Sequence, residues 1–140
     1  IEAIMAYILM IDDNPQNRRY IEKLIHYRSN HEIAFATNAN EAIDSMIERR
    51  PGVILLDLWI PGMDGFELFE NLRKNPATES IPVIIHSAIP LDTVTKLRMK
   101  RMRAEGFIEF PIDASALKEK LRIALRRNDP FVKKWIPPSV

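Results

Sequence analysis

Three short apolar runs end in groups that can do chemistry. Tyr7–Ile11 (YILMI) leads into Asp12-Asp13, Val53–Asp57 (VILLD) closes on Asp57, and Pro82–Ser87 (PVIIHS) closes on Ser87. Such runs read as parallel strands buried on both faces. Ligands of open α/β sheets bind beyond the carboxyl ends of the strands, so three acids and a hydroxyl are expected along one sheet edge. Acids gathered without a cation repel one another, and a divalent cation relieves that repulsion. Mg²⁺ takes one or two carboxylates together with water and a phosphate oxygen. A site of this kind suits phosphoryl transfer, where positioning and charge neutralisation do most of the catalysis. One of the carboxylates can itself be the nucleophile and become an aspartyl phosphate.

Taken singly, these residues have plainer readings. Asp12-Asp13 alone is a strand-to-helix turn and cap, and Asp64 is explained fully as a helix N-cap. Ser87 alone is a routine strand-end hydroxyl. Trp59 is either loop packing or an exposed aromatic near the site that helps to choose partners. His26 and His31 are surface or packing residues. Only the constellation of Asp12, Asp13, Asp57 and Ser87 promotes its members.

The elements that must position them alternate along the chain. After the first apolar run, Pro15 sits where a first helical turn tolerates proline, and Tyr20, Ile21, Leu24 and Ile25 follow at helical spacing. Glu32–Ala36 (EIAFA) is a less apolar strand, expected at a sheet edge. Ala42, Ile43, Met46 and Ile47 mark a second helix, stopped by Pro51-Gly52. Phe66, Phe69 and Leu72 give a third helix to about Lys74, after turn chemistry at Ile60–Gly65. A helix with a poor apolar stripe is expected over Leu91–Glu105, a short fifth strand over Gly106–Phe110, and a fifth helix through Leu117, Leu121 and Leu125 with Asp113 as its cap. Five such units predict an α/β fold: an open, parallel, doubly wound five-stranded sheet in a three-layer sandwich. A closed eight-stranded barrel needs about twice the length.

Composition narrows the chemistry further. The chain has 140 residues, 46% of them hydrophobic and 28% charged, as expected of a globular domain. With no cysteine, disulfides, thiolate zinc sites and cysteine nucleophiles are excluded. Four glycines form neither a G-x-G-x-x-G nor a G-x-x-x-x-G-K loop. No apolar run approaches a membrane span and no basic-then-apolar leader opens the chain, so a cytoplasmic protein with no membrane partner is expected. Residues 1–90 hold 8 Lys/Arg against 13 Asp/Glu, and residues 91–140 hold 12 against 6, so a net charge of +1 hides an acidic front and a basic back. The run Lys96–Arg103 (KLRMKRMR) reads as a solvated helix face rather than a nucleic-acid reader, since no reader module follows it.

Together, Ile11-Asp12-Asp13-Asn14, Leu55-Leu56-Asp57-Leu58, Pro61-Gly62-Met63-Asp64-Gly65, Ser87-Ala88, Phe107 and Pro111 resemble the receiver domain of two-component response regulators, the CheY-like fold. The resemblance covers about Tyr7 to Arg127. It implies a receiver domain over residues 5–127, while 128–140, with three prolines and no period, reads as a tail or linker, and 1–4, ahead of Met5, as extra or disordered residues. It implies that Asp57 is the phosphoacceptor, and that Asp12, Asp13, Asp57 and the main-chain carbonyl of Trp59 hold Mg²⁺. Ser87 is then the hydroxyl that turns to the phosphoryl oxygens, and Phe107 the aromatic switch that follows. The implied reaction is Mg²⁺-dependent transfer of a phosphoryl group from a phosphohistidine to Asp57, followed by hydrolysis. Implied partners are a histidine kinase or phosphotransfer protein, and an output protein or second copy at the basic Leu91–Arg127 face, with no direct nucleic-acid contact.

One position departs from the family. Phe110 precedes Pro111 where receivers carry a lysine, and phenylalanine brings neither charge nor a hydrogen-bond donor. His86 is not an obvious stand-in, because it neighbours Ser87 on one strand and the two side chains point to opposite faces. Lys96 and Arg98 have no fixed place at this level. The departure leaves a second reading, a pseudo-receiver that acts by binding alone. The Phe110-Pro111 bond is expected to be cis by resemblance. A dehalogenase-like phosphohydrolase is disfavoured because position 59 is Trp rather than a second acid. A flavin domain is disfavoured because Asp12-Asp13-Asn14-Pro15 would repel a cofactor phosphate.

Overall fold

A computed structural model describes residues 6–27, 29–60, 63–88 and 90–127. The chain runs β1 (Tyr7–Ile11), α1 (Pro15–His26), β2 (Glu32–Ala36), α2 (Ala39–Glu48), β3 (Val53–Asp57), β4 (Trp59–Ile60), β5 (Met63–Asp64), α3 (Gly65–Lys74), β6 (Val83–Ser87), α4 (Thr93–Arg101), β7 (Gly106–Glu109) and α5 (Ala114–Arg127). Five strands form one sheet in the order β2-β1-β3-β6-β7, with every pairing parallel. The strand order reverses between β1 and β3, which carry Asp12-Asp13 and Asp57 at their carboxyl ends. β2 lies at an edge, as its weaker apolar character predicts.

Alternation along each strand builds a core on both faces. Leu9, Ile11, Ile54, Leu56 and Ile85 pack on one face with Leu68, Phe69 and Met99. Ile8, Met10, Leu55 and Ile84 pack on the other with Ile21, Ile25, Leu117 and Leu121. Burial on both faces is why these runs are apolar without interruption.

Polar caps start the helices. Asn14 Oδ1 accepts from the Gln16 and Asn17 amides, with Pro15 at the first helical position. Asn38 caps α2, Asp64 caps α3 through the Phe66 amide, and Asp92 caps α4 through the Thr95 amide. Ser115 N–H donates to Asp113 Oδ1 at 3.3 Å, the predicted cap of α5.

Three expectations are corrected. The Ile60–Gly65 segment is more than a turn: β4 and β5 pair antiparallel, Trp59 with Asp64 and Ile60 with Met63. The fourth helix is shorter than Leu91–Glu105, because Asp92 caps it and Arg103 adopts a φ of 61° just beyond it. The fifth strand ends at Glu109, one residue early, although Phe110 N–H still donates to Ser87 O at 3.2 Å. Phe110-Pro111 is cis. Residues 1–4 and the 128–140 tail lie outside the described residues.

Candidate functional site

The register of β3 between β1 and β6 gathers the acids. Leu55 faces the α1/α5 layer and Leu56 the opposite layer, so Asp57 returns to the α1/α5 side. Asp12 and Asp13 follow the end of β1, and Asp12 N–H extends the ladder to Ala36 O at 3.0 Å. One oxygen from each of Asp12, Asp13 and Asp57 lies within 4.8 Å of the others. Asp12 and Asp57 are buried, at 0% and 8% exposure, while Asp13 is open to solvent.

Amides hold the two buried carboxylates. Asp12 Oδ1 accepts from Asn14 N–H at 2.8 Å, and Oδ2 accepts from Asn17 Nδ2 at 3.2 Å. Asp57 Oδ1 accepts from Trp59 N–H at 3.0 Å. A cleft of about 630 Å³ opens over Asp13 and Asp57, bounded by Asn17, Arg19, Trp59 and Ala88.

The electrostatics are those of crowded, poorly hydrated acids. Burial pushes the Asp57 carboxyl up to about 7, the charges of Asp12 and Asp13 push the same way, and the Trp59 amide opposes them. Burial also raises Asp12, against the hydrogen bonds from Asn14 and Asn17. A cation would reverse this penalty. The all-oxygen donor set, the mutual repulsion and the spacing together fit a small hard divalent ion such as Mg²⁺. Asp12, Asp13 and Asp57 are the residues able to hold it.

The other predicted site residues are distributed as follows. Trp59 borders the cleft and is 59% exposed. Ser87 ends β6, buried, on the sheet face opposite Asp57. Phe107 is in register with Ile85, packs on the same face as Ser87, and lies under Lys96 Nζ at 5.1 Å. Phe107 is therefore outside the acid cluster. Lys96 also reaches Glu109 Oε1 at 3.6 Å, and Arg98 pairs with Glu70 at 2.7 Å, both away from the acids. Phe110 packs with the α1/α5 core.

Two neighbours of the acids escape sequence reasoning. Asn17 has a retrospective signal, one helical turn beyond Asp12-Asp13. His86 does point away from Ser87, yet that very face is the one shared by Asp12 and Asp57. Its Cα is the register partner of Asp57, and its Nδ1 stands 3.7 Å from Asp12 Oδ2. Its ring meets Phe110 edge to face, with centroids 5.7 Å apart and planes at 88°. Burial holds the imidazole down at about 3, so this is a neutral ring beside an acid and not an ion pair.

Comparison with known proteins agrees with this geometry. PilH of Pseudomonas aeruginosa is 29% identical over 121 residues, covering 86% of this chain and 98% of PilH. The transcriptional regulatory protein AfsQ1 of Streptomyces coelicolor is 30% identical over 127 residues, covering 89% of this chain and 53% of AfsQ1. The chain thus spans nearly all of one relative and about half the length of the other. Among solved structures, the chemotaxis protein CheY4 of Vibrio cholerae shares the fold with a TM-score of 0.78 at 24% identity, covering 87% of this chain and all of CheY4. NtrX of Brucella abortus gives a TM-score of 0.81 at 26% identity, covering 94% of this chain and 29% of NtrX. The sequence model of the response regulator receiver domain matches residues 8–122. With that match spanning the sheet, the acids and most of α5, the chain belongs to the family of response regulator receiver domains of two-component systems.

Proposed function

We propose that this receiver accepts a phosphoryl group on Asp57 from a histidine kinase or phosphotransfer protein and uses it to switch a partner surface. The observation that carries the reading is the cluster itself: three carboxylates with oxygens within 4.8 Å, of which Asp57 borders an open cleft. Bound Mg²⁺ would neutralise the acids and the incoming phosphoryl oxygens. An Asp57 carboxylate oxygen attacks phosphorus, the N–P bond of the donor phosphohistidine breaks, and the imidazole leaves with that electron pair. Asp12 and Asp13 supply the remaining carboxylate ligands, and Trp59 contributes its carbonyl. The Trp59 N–H orients Asp57 for attack. Ser87 then turns its hydroxyl to the phosphoryl oxygens, and Phe107, on the same face, follows it.

The output surface in this reading is the Leu91–Arg127 face. Val94, Leu97 and Ile123 are exposed there among lysines and arginines, which suits an acidic partner or a second copy. No helix among the described residues is long and apolar enough to cross a membrane.

Incubating the full chain with Mg²⁺ and a small-molecule phosphodonor is expected to add one phosphate by intact mass, and Asp57→Asn to abolish it. An unmodified wild-type chain, under conditions that modify a standard receiver, overturns the reading. The second reading, a pseudo-receiver acting by binding alone, is favoured by one observation. Phe110 is packed into an apolar cluster, and the charges acting on Asp57 are the acids Asp12 and Asp13, both of which disfavour its ionised form.

A further inference from the structure

His86 is buried at 2% exposure, and neither of its ring nitrogens has a hydrogen-bond partner among the described residues. A buried polar group left unpaired costs about 1–3 kcal/mol. Its register partner Ile108 and its strand neighbour Ile84 belong to an apolar cluster on the same face, which leucine would serve better. Something other than packing therefore accounts for an imidazole here. The ring meets the Phe110 edge on one side, and its Nδ1 stands nearest the pocket, at 3.7 Å from Asp12 Oδ2. At 3.7 Å the pair is longer than a hydrogen bond, which needs about 2.7–3.2 Å. Hydrogen bonds in binding sites are often long before the ligand arrives and tighten with it. Asp12 has capacity for the bond, since an ionised carboxylate offers about four lone-pair sites and Asn14 and Asn17 occupy two.

We propose that His86 is a positioning residue of the acid pocket: its neutral ring carries the proton on Nδ1 and donates it to Asp12 Oδ2 when a divalent cation draws Asp12, Asp13 and Asp57 together. The inference rests on the reading of these three acids as one cation-and-phosphoryl pocket. His86 acts through Asp12, holding one carboxylate oxygen so that the group cannot swing away from the cation. Partners of this kind behind a ligating carboxylate are typically worth about 10–100-fold in metal affinity. Because the donor is neutral, it orients Asp12 without adding a fixed cation to the pocket. Phe110 serves the same end by keeping the ring on edge.

The test is Mg²⁺ binding to the full chain by calorimetry, with no phosphodonor present. His86→Leu is expected to weaken Mg²⁺ binding about tenfold or more, while its metal-free melting temperature equals or exceeds wild type, because an unpaired polar group has been removed. His86→Asn, whose amide nitrogen falls near the Nδ1 position, is expected to restore affinity to within about threefold. In the Mg²⁺-bound wild type, ¹⁵N NMR of the ring is expected to show a neutral imidazole protonated on Nδ1. Unchanged Mg²⁺ affinity in His86→Leu, a ring protonated on Nε2, or a wild-type chain that binds no Mg²⁺ would each overturn the proposal. None of these readouts depends on phosphorylation. A chain that shows the His86 effect but takes no phosphate refutes the phosphoacceptor reading alone; one that takes phosphate while His86→Leu binds Mg²⁺ normally refutes this inference alone.

Discussion

A Cβ placed on Gly65 would stand 2.5 Å from Leu58 Cα, and also 2.8 Å from the carbonyl oxygen of Asp57. The first residue of α3 is thus pressed against the backbone that carries the central carboxylate, tied there by Gly65 N–H to Leu58 O at 3.1 Å. Backbone cannot yield as the tip of a side chain can.

Gly65→Ala must therefore push α3 and the end of β3 apart. Overpacking of this kind costs about 1–3 kcal/mol or more, and the displaced atoms flank Asp57. Urea denaturation is expected to show that loss, and Mg²⁺ titration a parallel loss of affinity. Wild-type values for both would mean that the start of α3 slides freely, contrary to the contact.

Asp57 and His86 impose opposite pH dependences on the metal-free fold. Asp57 has an unfolded value near 3.9 and a folded value of about 7, so the native state holds the extra proton and stability falls as pH rises between them. His86 is depressed to about 3 from 6.5, so the unfolded state holds the extra proton and stability rises over that window. Between about pH 4 and 6.5 the two slopes cancel in the wild type. Relative to wild type in EDTA, Asp57→Asn is expected to gain about 3 kcal/mol from pH 4 to 6.5, and His86→Leu to lose a similar amount. Urea midpoints across that range check both, and parallel curves for all three proteins would remove the linkage.

Asp13 separates cation binding from folding, because it alone of the three acids is exposed. Asp13→Asn is expected to leave metal-free stability within about 0.5 kcal/mol of wild type. At a Mg²⁺ concentration 100-fold above its dissociation constant, the wild type should gain about 2.7 kcal/mol, and a tenfold weaker variant about 1.4 kcal/mol. Thermal unfolding with and without Mg²⁺ measures the difference. An unchanged Mg²⁺ gain in Asp13→Asn would take Asp13 out of the ligand set.

What the sequence discloses here depends on the range of the signal. VILLD and YILMI announce buried strands by composition, and acids at their ends announce a cluster, so the sheet and the three carboxylates are legible. The β4–β5 hairpin is not, because two-residue strands have no period and Pro61-Gly62 dominates the local pattern. His86 fails differently. Alternation within β6 correctly turns it away from Ser87, but its partnership with Asp57 depends on register between β3 and β6, which no local pattern encodes. Arg73 is hidden for the same reason. It looks like the basic end of α3, yet it donates to the carbonyls of Ile81 at 2.8 Å and of Met102 and Arg103 at 3.1 Å, fastening the end of α4.

Phe107 tests whether the site and the basic face communicate. Ser87 and Phe107 lie on adjacent strands and share the sheet face opposite Asp57, with Lys96 of α4 above the Phe107 ring. The ring is outside the acid cluster, so Phe107→Ala is expected to leave phosphate incorporation at Asp57 within about twofold of wild type. A rate change of that size is worth under about 0.5 kcal/mol. The amides of Thr93–Arg101 should shift on phosphorylation of wild type and lose most of that shift in the variant, as followed by ¹⁵N-resolved NMR. If incorporation collapses together with the α4 response, Phe107 supports the pocket itself. If α4 shifts as fully in the variant as in wild type, the signal reaches the Leu91–Arg127 face by a path that bypasses this ring.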